Sequence, residues 1–193
     1  MKDRIRKQIK ESAEMKLRLL ESDELINGIL KVSEAIVEAI KKGNKLLLAG
    51  NGGSAADAQH FAAEFVNRFT FDRPGIPAIA LTTDTSVLTA VANDYSFSEV
   101  FTRQLTTLGN AGDVFMAIST SGKSANIVRA LEAAREKDIV TIGLTGSTGS
   151  EMERLCNICL IVPSNETARI QEAHILIIHI ICLLVEEQLF NGR

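Results

Sequence analysis

Five short runs of aliphatic and β-branched residues, at 45–49, 77–81, 114–118, 140–144 and 158–162, restrict the fold of this chain more than any other feature. Each run has the length of a strand rather than of a buried helix. Between them lie segments with helical periodicity, among them SAADAQHFAAEFVNRF and ANIVRALEAAREK. Strand alternating with helix builds a parallel sheet covered on both faces, so the expected fold class is α/β, a three-layer αβα sandwich around a five-stranded parallel sheet. Two more helical segments, roughly 3–21 and 23–42, precede the first strand. The second places Leu25, Ile29, Val32, Ile36, Val37 and Ile40 at helical spacing, which gives it an apolar face to pack on the sheet or on another subunit. No repeat, low-complexity tract or Pro/Gly linker divides the 193 residues, so one domain is expected over 1–193, with N-terminal helices in 1–43 and an α/β core in 44–193.

The bulk properties exclude several classes of function. A net charge of -3 with 46% hydrophobic residues offers no basic field for nucleic acid. The N-terminus, MKDRIRKQIKESAEM, is charged at helical spacing and has no apolar core of a signal peptide, so a cytoplasmic protein is expected. The longest apolar run, 175–185, is interrupted by His179 and is shorter than the ~20 residues of a membrane span. It reads as a buried helix, with no membrane partner. Three cysteines in such a chain are expected to be reduced. Cys156 and Cys159 form a C-x-x-C, but they border the apolar run ICLIVP and no second pair follows, so core packing is the expected role.

In an open parallel sheet, ligands bind beyond the carboxyl ends of strands, where turns aim backbone N–H groups at anions. Two turns have this form. Gly50-Asn51-Gly52-Gly53-Ser54 leaves the first strand and opens a helix. It matches G-x-G-x-x-A through Gly50, Gly52 and Ala55, but Asp84 comes about ten residues too late for the ribose-binding acid of a dinucleotide site, which makes that reading the poorer one. The second turn, Ser119-Thr120-Ser121-Gly122-Lys123-Ser124, follows the third strand. A nucleotide-binding P-loop would need glycine where Ala117 stands. Four hydroxyls at a helix N-terminus suit a phosphate monoester instead, and simple helix capping accounts for one or two of them.

A third constellation lies on helices. His60 and Glu64, four residues apart, project from one helical face, and Arg68 continues it. In the last helix, His179 sits within the longest apolar stretch, where an imidazole needs a partner, and Gln171 lies two turns earlier. His174 reads as structural. Histidine, glutamate and amide oxygen together suit a zinc-like ion. Eight helical residues rise about 12 Å, so Gln171 and His179 reach one ion only if the helix start is irregular or the site spans subunits.

The run AGNGGSAADAQHFAAEF, the pair Asn93-Asp94, the loop STSGKS and the segment TARIQEAHILIIH resemble the phosphoheptose isomerases, members of the sugar isomerase, or SIS, fold. The resemblance covers nearly the whole chain, with no motif position lost. It implies zinc held by His60, Glu64, Gln171 and His179. It implies substrate contacts at Asn51, Gly52, Gly53, Asn93, Asp94, Ser119, Thr120, Ser121, Ser124 and Gln171, and Ser54, Glu64 and Arg68 are expected beside them. A homotetramer, with sites at subunit interfaces, and a place in making the heptose units of bacterial surface polysaccharide are further implications. Ketose–aldose isomerisation moves a proton between adjacent carbons, so Glu64 is expected to serve carbon and His179 oxygen. The rival reading is a non-catalytic SIS protein, like the relatives that bind a replication initiator. A SIS transcription regulator would need an added DNA-binding domain.

Overall fold

The computed structural model describes residues 1–146 and 151–190. Its sheet is all parallel with strand order β2-β1-β3-β4-β5, comprising β1 (Leu46–Gly50), β2 (Ala78–Ala80), β3 (Val114–Ser119), β4 (Val140–Gly146) and β5 (Ile158–Val162). The expected strands are therefore present, with ends that differ by at most two residues. The interior strands β1 and β3 are apolar on both faces because both are covered, whereas β4 alternates Ile142 and Leu144 with Thr141, Gly143 and Thr145. Leu46, Leu48, Val114, Met116 and Ile118 enter one core, while Leu47, Ala49, Phe115 and Ala117 enter the other.

The first core is closed by α1 (Lys2–Leu20), α2 (Asp23–Lys41), α3 (Gly53–Val66) and α8 (Thr167–Phe190). The second is closed by α4 (Thr85–Asp94), α5 (Val100–Leu108), α6 (Ala125–Glu136) and the short α7 (Glu151–Leu155), with a 3-10 turn at Phe97–Glu99. Ser22 starts α2 by accepting the Leu25 amide. At the amino ends of the strands, buried Asp113 accepts the Lys45 amide at 3.0 Å and its ammonium at 2.6 Å, which locks β1 to β3. Among the described helices, α8 alone is long and apolar enough to cross a membrane by length and composition. Its Ile170, Ala173, Ile177, Ile181 and Val185 nevertheless lie in the core, as the buried-helix reading expects.

The α3–α8 pair ends in a buried clamp. Glu186 on α8 is fully buried and accepts the Phe69 amide at 2.9 Å, the Thr70 amide at 2.8 Å, the Thr70 hydroxyl and Arg73 Nε at 2.8 Å. Arg73 also donates to the Phe65 carbonyl at 2.7 Å and the Glu64 carbonyl at 2.8 Å, two of the unpaired acceptors at the C-terminus of α3. Burial alone raises the Glu186 pKa, but the Thr70 and Phe69 donors and Arg73 outweigh it and hold the carboxyl down at about 2.

Glu186→Ala would strand Arg73 in the core, at an expected loss of about 3–5 kcal/mol in denaturant unfolding at neutral pH. Since the folded pKa lies below the ordinary value of 4.5, this contribution is present above pH 4.5 and fades as pH falls toward 2. The stabilities of wild type and variant should therefore converge in acid; a constant gap would place the stabilisation in packing rather than charge.

Candidate active site

The strand order reverses between β1 and β3, and the two turns singled out in the sequence leave the carboxyl ends of those two strands. This is the switch point at which open α/β sheets bind ligands. The glycine turn is tight, because a Cβ on Gly50 would stand 2.5 Å from the Ser54 carbonyl oxygen. Gly52 has φ +55 and ψ -121, a backbone state that side chains disfavour, and it admits the chain to α3 without a side-chain cap. Ser54 is buried in the first turn of α3. Asn51 and Asn126 exchange two amide hydrogen bonds of 2.9 Å, tying the glycine turn to the start of α6. Asn126 is a functional-site neighbour that the sequence did not single out, since an asparagine at a helix start carries no special pattern.

The serine loop departs from simple capping. Ser124 is the N-cap of α6, yet its hydroxyl makes no bond to the helix amides and lies 3.2 Å from that of Ser119. The first amides of α6 thus keep their donors for an anion. Gly122 turns the loop with φ +64, and its amide donates to the Ser119 carbonyl. Ser121 is exposed and accepts the Lys123 amide at 3.3 Å, while the Thr120 carbonyl accepts the Gly146 amide at 3.1 Å.

The remaining groups lie along the seam between α3 and α8. At its upper end Gln171 rests on Gly53, where a Cβ would come within 2.3 Å of the Gln171 amide nitrogen. Seven residues down α3 and eight down α8, His60 Nε2 meets His179 Nε2 at 2.9 Å. The two helices therefore run side by side in register. Glu64 Oε1 lies 3.3 Å from His60 Nε2, and the Phe69 ring stands 5.7 Å from that of His179. His60, Glu64 and His179 converge within one chain. Gln171 does not join them, because α8 is a continuous helix that rises about 12 Å between Gln171 and His179.

Other expected residues fall elsewhere. α3 ends at Val66, so exposed Arg68 lies beyond the helix and does not continue its face. The Glu64 carboxylate pairs with His60 rather than with Arg68 in the i,i+4 manner. Asn93 donates to Asp94 at 2.8 Å at the exposed end of α4, and no hydrogen bond among the described residues joins either to the two turns. Asp84 accepts the Val87 amide as the N-cap of α4, which explains its position without a nucleotide. His174 is wholly buried, and burial lowers its pKa to about 4 despite a backbone contact from Thr145. The sequence reading passed over Asp57, one turn before His60. Burial raises its carboxyl to about 6, against the opposing charge of His60, and its Oδ2 is buried without a hydrogen-bond partner.

Two neutral imidazoles can hold a 2.9 Å contact only if one Nε2 carries a proton and the other accepts it. Among the described residues no three of His, Cys, Asp and Glu are set as a ligand group in this state. Tetrahedral zinc with nitrogens at about 2.1 Å would need an N–N edge of about 3.4 Å, so the imidazoles would part by about half an ångström to admit it. The donor chemistry of His60, Glu64 and His179 fits that ion after this small opening.

Comparison with known proteins agrees with the geometry. The sequence pattern of the SIS domain family matches residues 9–146. The phosphoheptose isomerase of Aneurinibacillus thermoaerophilus is 56% identical over 193 residues, spanning 100% of this chain and 98% of the relative. Phosphoheptose isomerase 2 of Campylobacter jejuni is 58% identical, over 92% of this chain and 88% of its own. The solved phosphoheptose isomerase of Neisseria gonorrhoeae superposes with a TM-score of 0.90 at 42% identity, covering 96% of this chain and 98% of that one. That of Francisella tularensis gives a TM-score of 0.92 at 39% identity, over 96% and 97%. With its sheet, its switch-point turns and its helical seam matched along the full length, the chain belongs to the SIS domain family, among the phosphoheptose isomerases.

Proposed function

We propose that this protein interconverts sedoheptulose 7-phosphate and D-glycero-D-manno-heptose 7-phosphate, the first step of heptose-nucleotide biosynthesis in the cytoplasm. The observation that carries this reading is the convergence of His60, Glu64 and His179 in a chain whose switch point also holds an anion-ready serine loop. Glu64 takes the proton from C1 of the ketose and returns it to C2, through an enediol. His179 moves the proton between the two oxygens. The serine loop, with the free amides of α6, holds the phosphate and so orients the reacting carbons. A non-catalytic assembly role lacks comparable support, since the reported relatives at 56% and 58% identity carry an isomerase's name.

Zinc is part of the proposal. His60, Glu64 and His179 would hold it, and the ion would polarise the carbonyl and the enediolate oxygen. Glu64 would be both a ligand and the base, and would have to be loosely held to accept a proton. Gln171 at Gly53 serves the sugar in its own chain, and it reaches an ion only across a subunit boundary.

Sites shared between subunits are part of the same proposal. Gln171 and the serine loop lie toward the carboxyl ends of the strands, while Glu64 lies eleven residues along α3 from Gly53. In a shared site a phosphate on the serine loop of one subunit would present its carbonyl to Glu64 of another. Exposed Ile5, Ile9, Leu17, Leu20, Ile26 and Leu30 on α1 and α2 supply apolar surface for the homotetramer this requires.

Incubation with sedoheptulose 7-phosphate, followed by NMR, should give the aldose, and a chelator should stop it. Metal analysis of protein purified without chelator should find zinc that His60→Ala loses. No aldose from metal-replete tetramer would refute the isomerase reading, and full activity in chelator without bound metal would remove zinc from it.

Ser124→Ala should raise KM about 10- to 100-fold, the loss of one charge-assisted hydrogen bond, while kcat changes little. Unchanged sugar-phosphate affinity in calorimetry would move the phosphate from this loop to the Gly52-Gly53 turn.

A further inference from the structure

Cys156 and Cys159 do more than fill the core between β4 and α7. A Cβ on Gly143 would lie 2.8 Å from Cys156 Sγ and 2.9 Å from Cys159 Sγ, so both sulfurs gather over a position in mid-strand that has no side chain. The pairing register sets Cys159 directly beside Gly143, and Cys156 follows the last turn of α7. Neither cysteine is fully buried, whereas Cys182 is 1% exposed. Cys159 also lines a cavity of about 290 Å3 with Ser22, Glu24, Leu25, Glu153 and Pro163, which opens a route for a small reagent.

We propose that Cys156 and Cys159 form a thiol–disulfide exchange site that takes small, neutral or cationic disulfides. In the first step the Cys159 thiolate attacks one sulfur of the reagent, forming a mixed disulfide and expelling the other half as a thiolate. Cys156 then loses its proton and attacks Cys159 Sγ, which closes the protein disulfide and expels the second half. The protein dithiol loses two electrons and two protons, and one disulfide becomes two thiols. Cys159 is the nucleophile because it, and not Cys156, lines the cavity by which the reagent arrives; the neighbouring Cys156 also lowers its pKa, while the same contact and burial raise that of Cys156. Glu24, exposed at the cavity, repels anionic reagents.

Closure has a consequence for the ligand end of the sheet. A disulfide needs the sulfurs at about 2.05 Å, so the last turn of α7 must draw toward β5. The Met152 amide of α7 donates to the Gly122 carbonyl of the serine loop at 3.4 Å, which couples that movement to the proposed phosphate site. This coupling rests on the function proposed above, whereas the exchange chemistry does not.

The full-length native protein, incubated with cystamine and analysed by intact mass and peptide mapping, tests the chemistry. The expected product is lighter by two hydrogens, with Cys156 joined to Cys159 and Cys182 unmodified. Cys156→Ser should instead stop at a mixed disulfide of Cys159 with one cysteamine, half of the reagent, and Cys159→Ser should react at least tenfold more slowly. Oxidised glutathione, which is anionic, should react more slowly than cystamine. Modification that appears only after unfolding in urea, or a Cys159→Ser variant that reacts as fast as wild type, would overturn the proposal. For the coupling, calorimetry should find several-fold weaker sugar-phosphate binding to the oxidised protein, reversed by dithiothreitol; equal binding by the two forms would refute it.

Discussion

The parallel packing of α3 against α8 is the constraint on which the rest of the arrangement depends. Gly53 permits the approach at the upper end, because any side chain there would occupy the place of the Gln171 amide. The buried Arg73–Glu186 pair fixes the lower end and takes up the carbonyls of Glu64 and Phe65. Between these two anchors the register is determined, and His60 falls opposite His179. A buried ion pair is seldom the most stable way to fill a core, since desolvation offsets much of the attraction. Here its geometry fixes two functional segments at once, which an apolar pair of similar size could not do by hydrogen bonding.

The same register separates two kinds of chemistry. The groups proposed to bind the phosphate collect at the carboxyl ends of β1 and β3, where the Asn51–Asn126 bonds hold the two turns together. The groups proposed to transfer protons collect further down the seam, with the His60 side chain 45% exposed and Glu64 23% exposed. A single chain presents each half to a different region of its surface. The exposed apolar residues of α1 and α2 supply the surface by which, in the proposed assembly, chains would meet and the halves be joined.

Much of this was legible in the sequence, for identifiable reasons. Short aliphatic and β-branched runs of strand length mark both the buried interior strands and the edge strands, so all five were found to within two residues at each end. Glycine and serine at strand-to-helix turns carry their own mechanism, and both turns proved to sit at the switch point. The helical spacing of His60 and Glu64 gave their shared face, but spacing says nothing about where a helix stops. Arg68 was misplaced for that reason: α3 ends at Val66, and Arg73, not Arg68, satisfies its last carbonyls. Contacts between distant segments were equally hidden. The pairing of Asn51 with Asn126, the partnership of Glu186 with Arg73 and the gathering of two sulfurs over Gly143 arise only when the sheet assembles.

The central claim is that Glu64 moves the carbon-bound proton of a sugar phosphate held by this fold. It is tested most directly by NMR of solvent deuterium entering the substrate at C1 in Glu64→Gln, with binding checked by calorimetry. The amide preserves the shape of the carboxylate but cannot accept a proton from carbon. The account predicts normal sugar-phosphate affinity with exchange reduced at least a thousandfold, within the range of a lost general base. Exchange at the wild-type rate in a variant that binds normally would contradict it and give the proton transfer to another residue.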